Sequence, residues 1–275
     1  LGFLFFMIVP MGISLYYSFC KYNILSPPVF TGLDNFKNMI ADGTFLQTIK
    51  VTFFFAFVSV PLKLIFALLV AMLLLKNTKM SGIYRAAYYL PSIIGGSVAV
   101  AILWKRMFAM DGVVNKLLGS IGIKTSISWL GDTKTAIWIL ILLAVWQFGS
   151  SMVMFLAALK NVPADLYEAA EIDGASKVKM FFSITVPQIT PIIFFNLIMQ
   201  TIQALQNFTS AFVITDGGPM KATYVLGMKL YKEGFSYFKM GYASAISWII
   251  FIVIMLITLV LFATSKWWVF YGDES

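Results

Sequence analysis

A chain of 275 residues, 60% hydrophobic, 12% charged and with a mean hydropathy of +0.88, is built for lipid, because a soluble domain of that length carries roughly 25% charged residues. Its 20 Lys and Arg against 12 Asp and Glu leave a net charge of +8, but the cations are scattered over connectors and form no run, which argues against a nucleic-acid partner and fits the basic flanks of membrane spans. With no His and one Cys, an internal disulfide is excluded, and a metal site or a His-based triad has almost no raw material.

The apolar residues come in blocks, and a helix needs about 20 residues to cross a bilayer. Backbone groups in hydrocarbon must be paired within the segment, so blocks of this length read as helices. The first, Leu1–Cys20, has no Asp, Glu, Lys or Arg. A cleaved signal peptide is the rival reading, but no small-residue cleavage site follows it. The chain opens inside this block without Met, from which a preceding cytosolic N-terminal tail is expected. Lys21–Thr48 is a polar connector with a short amphipathic stretch at Asp34–Ile40. The second span, approximately residues 49–75, holds one charge, Lys63. After a brief basic turn, Lys76–Arg85, comes a third span at residues 86–104.

Lys105–Lys134, with Asp111, Gly112, Gly119, Gly122 and Trp129, reads as a folded hairpin-like loop. The fourth span covers residues 135–159 and the fifth residues 190–215. Asp216–Met240 opens on Gly217-Gly218-Pro219, a turn signal, and continues into an amphipathic piece. The sixth span covers residues 241–265. Residues 1–275 thus read as a single all-α membrane domain of six transmembrane helices, with both termini on one side. Placing the termini in the cytosol puts seven basic residues in inner loops and twelve in outer loops and their margins, so the basic-residue count opposes that orientation.

The connector between the fourth and fifth spans, residues 160–189, differs from the rest. Ala164–Ile172 has the makings of a short helix: Pro163 stands where a first turn tolerates it, Asp165 lies near the positive N-terminal end, and Gly174 can end it in the left-handed conformation. Glu168-Ala169-Ala170, then Gly174, then Ile184 and Val186-Pro187 resembles the EAA loop of binding-protein-dependent ABC importer permeases. Val186 stands where the family pattern has Leu. The resemblance continues in Gly32-Leu33-Asp34-Asn35-Phe36, in Leu90-Pro91 followed by Trp104, and in Thr215-Asp216-Gly217-Gly218-Pro219 followed by Gly241-Tyr242-Ala243-Ser244-Ala245. The last pair is similar to the sugar-importer (maltose-type) branch, on the side of the first permease of the pair.

The resemblance implies a type I ABC importer permease fold and a cytosolic coupling helix docked in a cleft of an ATPase subunit. Leu166, Tyr167, Glu168, Ala169, Ala170, Asp173 and Gly174 are its expected coupling residues. The expected partners are a second, homologous permease, an ATPase dimer, an extracellular solute-binding protein and a carbohydrate. The expected location is the bacterial cell membrane. No Walker motif and no Gly-Lys pair occur in the chain, so no catalytic residue and no cofactor is expected here, ATP and Mg being held by the ATPase subunits.

For the solute path, Asn196, Gln200, Gln203 and Asn207 fall at i, i+4, i+7 and i+11, one face of a helix. Amides suit sugar hydroxyls and serve equally as interhelical glue. Lys63 either borders the path or snorkels to an interface. Trp146 and Gln147 are further candidates, Trp being also an interface marker. The same machine for a phosphate, amino acid or polyamine, and an ion-coupled transporter, are the rivals. Spans without a single Asp or Glu argue against the polyamine and ion-coupled cases.

Overall fold

The computed structural model describes residues 1–75, 80–123 and 127–270. The basic turn at Lys76–Arg85 therefore lies partly outside the described residues, as does Lys124. Among the described residues the regular structure is helical apart from two short antiparallel strands, β1 (Cys20–Lys21) and β2 (Val29–Phe30), with Cys20 opposite Phe30.

In chain order the helices are α1 (Leu4–Ser18), α2 (Asp34–Ala41), α3 (Gly43–Leu73), α4 (Ser81–Ile94), α5 (Val98–Met107), α6 (Val113–Ser120), α7 (Ala136–Trp146), α8 (Gly149–Lys160), α9 (Ala164–Ile172), α10 (Lys177–Leu205), α11 (Leu226–Tyr231) and α12 (Met240–Trp268). Among the described residues, α3, α10 and α12 are each long and apolar enough to cross a membrane. The number rises to five if each of the bent pairs α4–α5 and α7–α8 is one span, and α1 is a shorter apolar helix.

Four expectations from the sequence need correction. The third predicted span is broken: α4 and α5 meet at 100° across Gly95-Gly96, where no side chain favours continuing the helix. The fourth bends by 43° at Gln147-Phe148. The fifth was expected over residues 190–215, but α10 begins at Lys177 and stops at Leu205. Its N-terminal extension carries a π turn at Phe181–Thr185 just ahead of Pro187, a local adjustment that suits a residue with no N–H to give. Its early end leaves Asn207 in a turn, with Oδ1 accepting from the Ser210 hydroxyl at 2.7 Å, a local bond that competes with helix continuation. The loop at Lys105–Lys134 also differs, since it contains α6. Asn115 closes it by donating to the Met110 and Ile127 carbonyls, both at 3.0 Å, and by accepting from Trp129 Nε1 at 2.8 Å.

By contacts the chain falls into two compact units. One comprises Leu1–Ala56, Ala101–Leu140 and Gln203–Leu256. One buried apolar cluster in it is Met39, Phe45, Leu226, Ala245 and Ile246, which joins α2, α3, α11 and α12. The Leu226 N–H donates to Thr52 Oγ1 at 2.9 Å. Trp104 of α5 donates to the Ile139 carbonyl of α7 at 3.2 Å.

The other unit comprises Phe57–Val100, Ile141–Ile202 and the chain from Ile257. In it α4 and α8 pack backbone to backbone: a Cβ on Gly149 would come within 2.3 Å of the Tyr88 carbonyl oxygen. Ser92 bridges the bend of α7–α8, donating to the Gln147 carbonyl at 3.0 Å and accepting from the Ser150 N–H at 2.9 Å. Phe194 of α10 meets Phe262 and Trp268 of α12 edge-on at 5.1 and 5.7 Å.

Candidate functional site

The sequence of α9 explains its boundaries. Pro163 occupies the N-cap with extended backbone, a position where its missing N–H costs nothing. Asp165 sits in the first turn, against the positive end of the helix dipole. At the other end Gly174 takes φ +73°, and the Ala175 N–H reaches back to the Ala170 carbonyl at 2.9 Å, the six-to-one bond that closes a helix through a left-handed glycine. Ser176 then caps α10, accepting from the Lys179 N–H at 3.3 Å. The connection between α9 and α10 is therefore short and held by hydrogen bonds at both of its ends.

One side-chain bond fixes α9 against α10: the Tyr167 hydroxyl and Thr185 Oγ1 lie 2.8 Å apart. Tyr167 and Ala170 are half-buried, whereas Leu166, Glu168, Ala169, Asp173 and Gly174 are exposed. Leu166 is 39% exposed and Ile172 87%, and Glu168 has no ion-pair partner among the described residues. A nine-residue helix with a bare carboxylate, small residues and unburied aliphatic side chains offers a partner both a charge-assisted bond and apolar area.

The pathway candidates do not form one set. Asn196 is buried on α10 and donates to the Ile192 carbonyl at 2.9 Å, so half of its amide is committed to its own helix. Gln200 is buried, with no side-chain hydrogen bond among the described residues. Gln203 is exposed, and Asn207 lies past the helix end, with its Nδ2 buried and unbonded. The expected helical face thus holds for Asn196, Gln200 and Gln203 but not for Asn207.

Lys63 is only 9% exposed and has no hydrogen-bond or ion-pair partner among the described residues. It shares the buried stripe of α3 with Ser59, Val60, Leu64 and Ala67. That placement disfavours snorkelling, which needs the amine at an interface. Gln147 is half-buried at the α7–α8 bend and donates to the Leu143 carbonyl at 3.3 Å; beside it Trp146 is also half-buried.

One cluster was not foreseen. Lys229 of α11, almost wholly buried, lies 2.7 Å from Asp42 and 3.1 Å from Glu233, and Lys239 stands 3.8 Å from the second oxygen of Glu233. Tyr242 donates to Asp42 at 3.3 Å. Burial pushes the Asp42 carboxyl up, but the bond from Lys229, with help from the Thr44 and Phe45 N–H groups, outweighs it and holds the carboxyl below its usual range. Only the Lys229/Glu233 spacing of four residues signals this arrangement in the sequence; Asp42 is too distant along the chain to be linked to it.

Comparison with known proteins agrees with this architecture. The family described as binding-protein-dependent transport system inner membrane component matches residues 39–269.

The chain belongs to that family.

The chain is similar to the probable ABC transporter permease protein YesP of Bacillus subtilis (strain 168), with 52% identity over 277 residues, covering 100% of this chain and 90% of YesP. The lactose transport system permease protein LacF of Rhizobium radiobacter is 34% identical over 86% of this chain and 81% of its own. Among solved structures, a chain of a bacterial alginate ABC transporter, crystallised with an alginate pentasaccharide-bound periplasmic protein, superposes with a TM-score of 0.82 at 25% identity. It covers 96% of this chain and 90% of that one.

Proposed function

We propose that this chain is one of two permease subunits of an ATP-driven importer that takes a carbohydrate from an external binding protein, and that α9 is its coupling helix. The observation that carries the proposal is α9 itself. It is short and rigidly capped at Gly174, it is tied to α10 through Tyr167, and it presents Leu166, Glu168 and Ala169 to whatever lies outside the chain.

In this reading six spans, counting α1 and each bent pair once, place both termini and α9 in the cytosol. An ATPase subunit grips α9; ATP binding closes the ATPase pair, α9 follows, and α10 moves with it because the joint at Gly174–Ser176 has no slack. The cavity between this permease and its homologue then turns outward, and hydrolysis returns it inward, as alternation between two populated states. ATP and Mg belong to the ATPase subunits. Gln200 and Lys63, buried and with unspent hydrogen-bonding capacity, are the solute-path residues that this reading favours. The relatives named for lactose and alginate support a sugar as the solute.

The test is ATP-dependent uptake in vesicles that contain the whole importer and its binding protein. Glu168→Ala and Gly174→Val variants should insert normally and lose at least nine-tenths of uptake. A Cβ on Gly174 meets nothing within 4 Å, so the valine acts through the backbone alone, at about 1–2 kcal/mol for the left-handed conformation. Normal uptake by both variants would refute the coupling role.

A further inference from the structure

Beside the cluster around Lys229 lies an open cleft of about 690 Å³, bordered by the turn after α1, by α2 and by the start of α12. We propose that this cleft is a carbohydrate subsite, a place where the permease holds one or two sugar units at its outer face. The proposal rests on the topology given under Proposed function, in which the connectors after α1 and before α12 are outside.

The volume lies in the range of small-molecule sites, about 300–1,000 Å³. Its walls carry both kinds of group that a sugar ring needs. Tyr237 and Phe238 present rings that are 58% and 50% exposed, large apolar surfaces left open to solvent in a single stretch of chain. Lys239 Nζ lies 5.9 Å from the centroid of the Tyr237 ring. The apolar face of a pyranose can cover such rings, whose quadrupoles favour C–H groups on their faces.

Opposite in chemistry, Asn38 and Asn23 line the same cleft. Asn38 is exposed and makes no side-chain hydrogen bond among the described residues. Asn23 uses its oxygen to accept from Ser26, and its NH₂ makes no hydrogen bond among the described residues. Amides that can donate and accept are suited to adjacent hydroxyls. The Asp42 and Glu233 carboxylates that line the cleft are already paired with Lys229 and Lys239, so they do not demand a cation.

The experiment uses the complete importer in detergent without its binding protein, and saturation-transfer NMR with lactose, maltotriose and a trimannuronate as probes. At least one probe should receive saturation from the wild-type complex. Tyr237→Ala and Asn38→Ala, both at exposed positions, should weaken that signal at least fivefold, while Tyr237→Trp should retain it. No transfer to any probe, or equal transfer in the alanine variants, overturns the proposal. Undiminished sugar binding combined with loss of binding-protein association in the same variants would also overturn it and mark the cleft as a protein-docking surface. None of these outcomes touches the permease reading, which fails separately if the Glu168 and Gly174 variants transport normally.

Discussion

The Tyr167 hydroxyl stands 2.8 Å from Thr185 Oγ1 and is the side-chain hydrogen bond that links the short helix α9 to the long helix α10. A movement imposed on α9 reaches α10 both along the chain, through Gly174, and across this bond. The bond is therefore part of a transmission, and its loss should affect coupling more than assembly.

Replacing Tyr167 by Phe removes the bond and keeps the ring. The stability cost should be about 0.5–1.5 kcal/mol. Uptake is expected to fall several-fold with ATP hydrolysis maintained, so that more ATP is spent per solute. Simultaneous measurement of ATPase activity and uptake in proteoliposomes checks this.

At Gly149 the backbones of α4 and α8 leave no room. A Cβ would lie 2.3 Å from the Tyr88 oxygen and 2.7 Å from the Tyr89 Cα, both backbone atoms. Gly149→Ala should therefore separate the helices and destabilise the protein by about 1–3 kcal/mol. A lowered melting temperature in detergent is the expected reading, while Gly82→Ala, with nothing within 4 Å of its Cβ, should leave it unchanged.

Lys229 holds Asp42 and Glu233 together in a buried group. Lys229→Met leaves Asp42 without its cation and Glu233 with only the more distant Lys239, and should cost about 3 kcal/mol. Acid acts on the same bond. The Asp42 carboxyl titrates below its ordinary value of 3.8, so its contribution is present above that pH and disappears as pH falls through the lower, folded-state value. Thermal melting followed from pH 6 downward should show a decline that begins below about pH 4 and is smaller in Asp42→Asn.

Much of this arrangement was legible in the sequence, and the exceptions have physical causes. The apolar blocks around α3 and α12 give those helices to within a few residues, because length and hydropathy decide what a bilayer accepts. The turn at Gly174 was readable because left-handed backbone favours glycine. The 100° bend between α4 and α5 was not, since Gly95-Gly96 inside an apolar run is also common in an unbroken membrane helix. The early stop of α10 depends on where Asn207 finds its partner, Ser210, a local competition that hydropathy does not register. The Asp42–Lys229 pair joins residues far apart in the chain, and no local pattern announces it.

The central claim, that an ATPase subunit grips α9, is tested most directly by a photocrosslinking amino acid placed at Leu166, which is exposed on that helix. In the complete importer, illumination should join this chain to the ATPase subunit, and the yield should change when ATP is bound. Crosslinks only to lipid or to the external binding protein would contradict the claim.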